Sequence, residues 1–128
     1  MSNIKLTIDN KEIETEKGKT VLQAAQVAGI YIPALCAHPD LPPAPGGKAS
    51  SVIYLGGKPY HSSGSSVEFQ GCRLCLVEVE GMKDLAISCN LPAAEGMVVH
   101  TTSPKAVEAQ RTALEFLLIN HPIDCPVC

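Results

Sequence analysis

Residues 71–82, Gly71-Cys72-Arg73-Leu74-Cys75-Leu76-Val77-Glu78-Val79-Glu80-Gly81-Met82, join two patterns in one stretch. The first half is a CxxC, in which Cys72 and Cys75 can present two thiols from one tight turn. The second half reads as a β-strand, LCLVEVEG. In it Val77 and Val79 alternate with Glu78 and Glu80. That alternation makes the two glutamates one solvated strand face rather than an acid/base pair. The rest of the chain is read outward from this strand.

Upstream, residues 41–71 are rich in Pro, Gly and Ser. Inside them SVIYLGGKPYHS predicts a small hairpin turning at Gly56-Gly57. Residues 42–70 therefore read as an inserted segment with one hairpin of its own. Before it, IKLTIDNKEIETEKG alternates on both sides of Asp9-Asn10 and predicts a β-hairpin. KTVLQAAQVAGIYIP follows. Thr20 and Gln23 form a capping box, Val21, Leu22, Ala25 and Val27 an apolar face, Gly29 a C′ residue, and Pro33 blocks resumption. Downstream, LAISCN and GMVVHTT are further strands. Ser103 then caps a helix with Pro104 at N1, and the helix ends near Asn120, because Pro122 disfavours helical backbone at His121. Its apolar stripe predicts core or a subunit interface. Hairpin followed by helix opens a β-grasp-like α+β layout.

Composition narrows the function. The chain has 128 residues, enough for one domain with a core that needs no disulfides. A net charge of -3, no basic run and few aromatics give no support for nucleic-acid binding. The longest apolar run, Leu114 to Ile119, is broken by Glu115 and cannot span a bilayer. MSNIKLTIDN lacks the basic and apolar regions of a secretory signal, which points to the cytoplasm. Neither GxGxxG nor GxxxxGK[ST] occurs, so no nucleotide site is expected.

Without an export signal, the six cysteines favour metal binding or redox chemistry over disulfides. Four lie in the body of the chain. Cys36 sits in the loop after the first helix, Cys72 and Cys75 in the CxxC, and Cys89 at the end of a strand. Four thiolates are the ligand count of a [2Fe–2S] cluster, and one early ligand, a CxxC and one later ligand follow the ferredoxin order. Disulfides, buried thiols and a structural zinc site remain alternatives. Zinc knuckles would pair Cys72/Cys75 with Cys125/Cys128 and leave Cys36 and Cys89 unused.

GCRLCLVEVEGM, the thirteen-residue gap to Cys89 and the strand GMVVHTTS before a long helix resemble one family. It is the N-terminal iron–sulfur region of the G-type (75 kDa) subunit of NADH:quinone oxidoreductase, complex I, shared with NAD-linked hydrogenases and some formate dehydrogenases. The resemblance implies a β-grasp ferredoxin-like domain over residues 1–103, followed by a C-terminal helix and cluster-binding segment over 104–128. It implies that Cys36, Cys72, Cys75 and Cys89 hold a [2Fe–2S] cluster. The chain departs from the family between Cys36 and Cys72, where 35 residues stand in place of about ten.

The family's helix leads to a His-x3-Cys-x2-Cys-x5-Cys motif that binds a [4Fe–4S] cluster. His121, Cys125 and Cys128 match its first three positions, and the fourth would fall six residues past Cys128. On this reading the chain is a fragment, and the second cluster requires the chain to continue. Among the other histidines, Cys36-Ala37-His38 matches half of a Rieske pattern, but CRLC supplies no second histidine. His38 is read as a loop residue, and His61 and His100 as surface residues. No nucleophile–base pair or oxyanion motif is evident. The expected function is a one-electron relay in a complex I-like oxidoreductase, beside other redox subunits such as an NADH-oxidising flavoprotein. The alternatives are the same module in a hydrogenase, formate dehydrogenase or electron-bifurcating complex, and a zinc-stabilised interaction module.

Overall fold

In the computed structural model the described residues are 2–42, 52–61, 71–119, 121 and 125. Strands β1 (Asn3–Ile8) and β2 (Lys11–Glu16) pair antiparallel, with Leu6 opposite Ile13. Asp9 and Asn10 turn the hairpin with φ of 48° and 66°. A two-residue turn with both φ positive matches the strand twist, and Asp and Asn tolerate that backbone. Leu6, Ile8 and Ile13 are buried.

Helix α1 (Val21–Val27) carries the expected capping box. The Gln23 backbone N–H donates to Thr20 Oγ1 at 3.2 Å, and the Thr20 N–H donates to Gln23 Oε1 at 2.9 Å. Its end is a Schellman motif. Gly29, with φ of 71°, donates to the Gln26 carbonyl at 3.1 Å, and Ile30 donates to the Ala25 carbonyl at 2.9 Å. Val21, Leu22, Ala24 and Ala25 face the core, whereas Val27 is 85% exposed. At about 3.6 residues per turn, Val27 falls on the far side of the cylinder from Val21 and Ala25. The expectation for Val27 is thus corrected.

The Gly56-Gly57 hairpin forms as predicted. Strand β3 (Val52–Leu55) pairs with β4 (Lys58–His61) around glycines with φ of 56° and 77°. Strand β4 is exposed along its length. Residues 43–51 and 62–70, the flanks of the expected insertion, lie outside the described residues.

Strands β5 (Leu76–Val79), β6 (Ala86–Ile87) and β7 (Val98–His100) complete a five-stranded sheet of order β2-β1-β7-β5-β6. Strands β1 and β7 pair parallel at its centre, and the other pairs are antiparallel. The mixed sheet against α1 is a β-grasp arrangement. Two backbone bonds fix the start of α1, from Val21 to the Leu91 carbonyl at 2.9 Å and from Leu22 to the Ser88 carbonyl at 3.0 Å. They satisfy N–H groups that a helix start leaves without partners.

Helix α2 (Pro104–Ile119) begins at Ser103, whose Oγ accepts from the Ala106 N–H at 3.2 Å. Ala106 is its buried residue, while Leu114, Phe116, Leu118 and Ile119 are exposed. The expected stripe is therefore only partly core within the described residues. Gln110 ties the helix to the sheet. Its Nε2 donates to the Leu76 carbonyl at 2.9 Å and to the Thr101 carbonyl at 3.3 Å. No helix among the described residues is long and apolar enough to cross a membrane.

One long-range clamp joins the first turn to the residue that follows the last strand. Asp9 Oδ1 accepts from the Thr101 N–H at 2.8 Å, and Asp9 Oδ2 accepts from the buried Thr101 hydroxyl. Removing the carboxylate leaves that hydroxyl without its acceptor. Asp9→Ala is expected to lower the free energy of unfolding by about 1–3 kcal/mol, measured by urea denaturation. An unchanged midpoint would show that the clamp contributes nothing.

Candidate metal centre

The site is built from β5 outward. Side chains alternate along a strand, so Cys75 shares a face with Val77 and Val79. All three are buried, Cys75 with 1% exposure. The residues before it make the turn that carries Cys72. Arg73 there holds a φ of 56°, which a side chain seldom adopts. Gly71 precedes it with a φ of 79°, and a Cβ at that position would lie 3.1 Å from Cys36 Sγ. The backbone thus passes against the Cys36 sulfur in a space that a larger residue would invade.

Cys36 reaches this point from the loop after α1, which buried Ile32 anchors to the core. Cys89 comes from the turn after β6. The β5–β6 ladder pairs Val77 with Ala86 and Leu76 with Ile87. It continues one step to Cys75 and Ser88, where the Ser88 N–H donates to the Cys75 carbonyl at 3.3 Å. Cys89 follows directly. Three separate segments therefore bring four thiols together, and none of the four is in a disulfide.

Cys36 is a hydrogen-bonding neighbour of Cys72, and Cys75 of Cys89, whose thiol also feels the charges of Cys36 and Cys72. No three His, Cys, Asp or Glu side chains among the described residues converge as a single metal ion would require. Burial pushes the Cys89 thiol up to about 12, aided by the charge and hydrogen bond of Cys75 and by the charges of Cys36 and Cys72. Burial acts on Cys72 in the same sense. There the backbone N–H groups of Leu74, Cys36 and Leu35 and the Cys36 side chain outweigh it and hold the thiol below its ordinary value. Cys75 is buried, Cys72 and Cys89 half-buried and Cys36 exposed. A groove of about 810 Å³ borders the Cys36/Cys72 side, with Gly71, Arg73 and Leu76 on one wall and Ala109, Ala113 and Phe116 of α2 on the other.

The other sequence-predicted residues lie apart from this pairing. His38 is exposed, and its Nδ1 accepts from the Asp40 N–H at 3.2 Å. His61 is exposed at the end of β4. His100 is half-buried and bonded at 2.9 Å to Glu80, so it is not the simple surface residue expected. In the tail, His121 and Cys125 are both exposed, and Cys128 lies outside the described residues. The sequence reading missed the left-handed backbone of Arg73, the contacts of Ser88 and the bonds of Gln110. All three depend on distant partners or on a conformation that leaves no local composition signal.

Known proteins match the chain over nearly its whole length. A model of the 2Fe-2S iron-sulfur cluster binding domain matches residues 1–52 and 55–104, and one of the NADH-ubiquinone oxidoreductase-G iron-sulfur binding region matches 110–128. The G-type NADH-quinone oxidoreductase subunit of Streptomyces coelicolor is 42% identical over 127 residues, covering 98% of this chain and 12% of its own length. A G-type NADH-quinone oxidoreductase subunit of Rhizobium meliloti, numbered 2 in that organism, is 40% identical over 125 residues, with 98% of this chain and 12% of its own length covered. The mitochondrial NADH-ubiquinone oxidoreductase 78 kDa subunit of Candida albicans is 36% identical over all 128 residues, 14% of its own length. The chain thus spans about an eighth of the curated relatives it matches. An NAD+-reducing [NiFe]-hydrogenase, solved in the H2-reduced state, superposes with a TM-score of 0.69 at 34% identity, over 99% of this chain and 43% of that one.

The opposed shifts of Cys72 and Cys89 predict the order of thiol reactivity. In reduced, metal-free protein at pH 8, iodoacetamide should modify Cys72 well before Cys89, as read by peptide mass mapping. The raised Cys89 thiol also links folding to pH. An unfolded chain gives up this proton near 9.0 and the folded chain near about 12. Stability contributed by the protonated thiol is complete below pH 9 and falls as pH rises towards 12. Cys89→Ala should flatten that fall in urea titrations. Equal alkylation rates, or a fall unaffected by the substitution, would contradict the assignment.

Proposed function

The chain belongs to the 2Fe-2S iron-sulfur cluster binding domain family, and from that premise we propose that Cys36, Cys72, Cys75 and Cys89 are the ligands of its [2Fe–2S] cluster. The carrying observation is the gathering of four thiols from three segments: Gly71, next to Cys72, lies against Cys36 Sγ, and the β5–β6 ladder sets Cys89 beside Cys75. Two pairs suit two metal atoms, whereas a Cys₄ zinc site gathers all four sulfurs around one ion. Cys36 and Cys89, which a zinc pairing with the tail would leave over, are the residues that contact Cys72 and Cys75.

When bound, such a cluster takes up and returns one electron at a time. The chain's own residues tune that capacity. Cys75 and Cys89 form the inner pair, on the core side of the site. The N–H groups of Leu74, Cys36 and Leu35 stabilise the Cys72 thiolate, and hydrogen bonds to sulfur are a main control of reduction potential. Gly71 keeps the backbone clear of Cys36 Sγ. The exposed Cys36 edge is the side on which an electron enters or leaves.

The chain is read as an electron relay within an NADH-quinone oxidoreductase-like assembly, working beside other redox subunits. An NADH-oxidising flavoprotein subunit is the electron source, on the cytoplasmic side of the membrane. The names of the relatives support the place in an NADH-quinone oxidoreductase-like assembly. The hydrogenase likeness supports a second one, the same relay in an NAD+-linked hydrogenase. Residues 1–103, with their inserted segment 42–70, form the first functional unit. Residues 104–128 form a second, in which His121, Cys125 and Cys128 supply three of the four ligands of a [4Fe–4S] site, the cluster forming only where the chain continues past Cys128. The match over 110–128 supports that division.

Anaerobically purified protein should contain about two irons and two sulfides per chain at the first site. Cys→Ser at 36, 72, 75 or 89 should each lose or destabilise that cluster, since oxygen is a harder ligand than thiolate. Gly71→Ala should destabilise it, because the new Cβ crowds Cys36 Sγ and the φ of 79° strains any side chain, while the far-ultraviolet circular dichroism stays native. In a chain that continues past Cys128 and carries the family's fourth ligand, Cys125→Ser should remove about four further irons and spare the first two. Stoichiometric zinc without iron would refute the relay.

A further inference from the structure

Ser88 and Thr101 are the buried polar side chains among the described residues. Thr101 is accounted for by Asp9. Ser88, with no exposed surface, sits one ladder step beyond Leu76↔Ile87, directly opposite Cys75. Its Oγ donates to the Cys75 carbonyl at 2.7 Å, and its N–H donates to the same oxygen at 3.3 Å. Its own carbonyl accepts from Leu22 in the first turn of α1 at 3.0 Å. The next residue is Cys89. One side chain thus stands where α1, the Cys75 strand and the Cys89 turn meet.

The ladder alone would satisfy the Cys75 carbonyl, so the hydroxyl is a second donor on an oxygen already partnered. It is also the shorter of the two bonds. Strand β6 has only two residues, and the chain turns at once, with Asn90 and Leu91 both donating to the Ile87 carbonyl. The last rung pairs Cys75 with Ser88, and Cys89 follows immediately in the turn.

We propose that Ser88 is a positioning residue for the cluster, fixing the spacing of the inner ligand pair Cys75/Cys89 through the Cys75 carbonyl. The proposal rests on the reading of the four cysteines as ligands. Ser88 acts through the Cys75 carbonyl. Its removal takes away the shorter of the two bonds that tie the 88–89 turn to β5 and leaves the 3.3 Å backbone bond, which shifts the sulfur geometry on which potential and spectrum depend.

The test compares Ser88→Ala and Ser88→Thr with wild type in the anaerobically purified, cluster-loaded protein. Ser88→Ala should start with wild-type iron and sulfide but lose them to excess chelator about three- to tenfold faster, as loss of one buried hydrogen bond implies. Its reduced EPR spectrum should show displaced g values. Ser88→Thr, which keeps the hydroxyl, should return both properties to wild type. A Ser88→Ala protein with a lowered unfolding midpoint but unchanged g values and loss rate would overturn the proposal, because the residue would then be structural only. Where Ser88→Ala yields too little folded protein, Ser88→Thr and Ser88→Val, alike in shape and differing in the hydroxyl, take its place. Equal spectra and loss rates in that pair overturn the proposal equally. Wild-type protein without iron would refute the ligand assignment itself, and Ser88's role with it. Iron-loaded wild type beside an indistinguishable Ser88→Ala would refute Ser88's role alone.

Discussion

The site depends on the register of β5. Cys75, Val77 and Val79 occupy one face of this strand, and all three are buried. Because strand side chains repeat every two residues, a slip of one would expel both valines and the thiol together. The energy that fixes the register is hydrophobic burial, about 1.5–3 kcal/mol for each fully buried valine-sized side chain. The thiol is held in place by the packing of its neighbours. The partner strands carry the same constraint outward, β7 by pairing Val99 with Val79 and β6 by pairing Ala86 with Val77. Through β6 the register of β5 also sets where Cys89 stands.

Four thiols in one place are electrostatically uncomfortable. The raised Cys89 thiol records it, since burial and the neighbouring sulfurs oppose a further negative charge there. Cys72 shifts the other way because, against its burial, the backbone N–H groups of Leu74, Cys36 and Leu35 and the Cys36 side chain favour its thiolate. The fold therefore eases ionisation of the Cys72 thiol and opposes that of the Cys89 thiol. A thiolate-bound metal centre resolves that opposition, because coordination replaces the proton and offsets the charge. The fold contributes the strain-bearing backbone needed for the approach, Gly71 beside Cys36 and Arg73 in the turn between the ligands.

Features with local causes were legible in the sequence. The Asp9-Asn10 and Gly56-Gly57 turns, the Thr20/Gln23 capping box and the Ser103 cap each need only neighbouring residues, and each formed as read. The ferredoxin order of the four body cysteines was visible because it is a matter of spacing. Val27 was misassigned because a seven-residue helix offers too few turns to define its buried face by pattern. The last helix reads as amphipathic, yet only its early part meets the sheet. A sequence pattern says which face is apolar and not how far the neighbouring element extends. The Asp9–Thr101 clamp joins residues 92 apart, and Ser88 acts across 13. Neither carries a signal within its own segment.

The central claim is that four cysteines hold two irons between them and pass one electron. A reductive EPR titration of the anaerobically purified protein tests it most directly. An oxidised [2Fe–2S] protein is silent, and uptake of one electron should produce about one unpaired spin per chain. That signal should vanish in Cys36→Ser, Cys72→Ser, Cys75→Ser and Cys89→Ser protein, or change its g values where a serine ligand replaces the thiolate. A colourless protein that takes up no electron, or a full signal with unchanged g values in all four variants, would contradict the account.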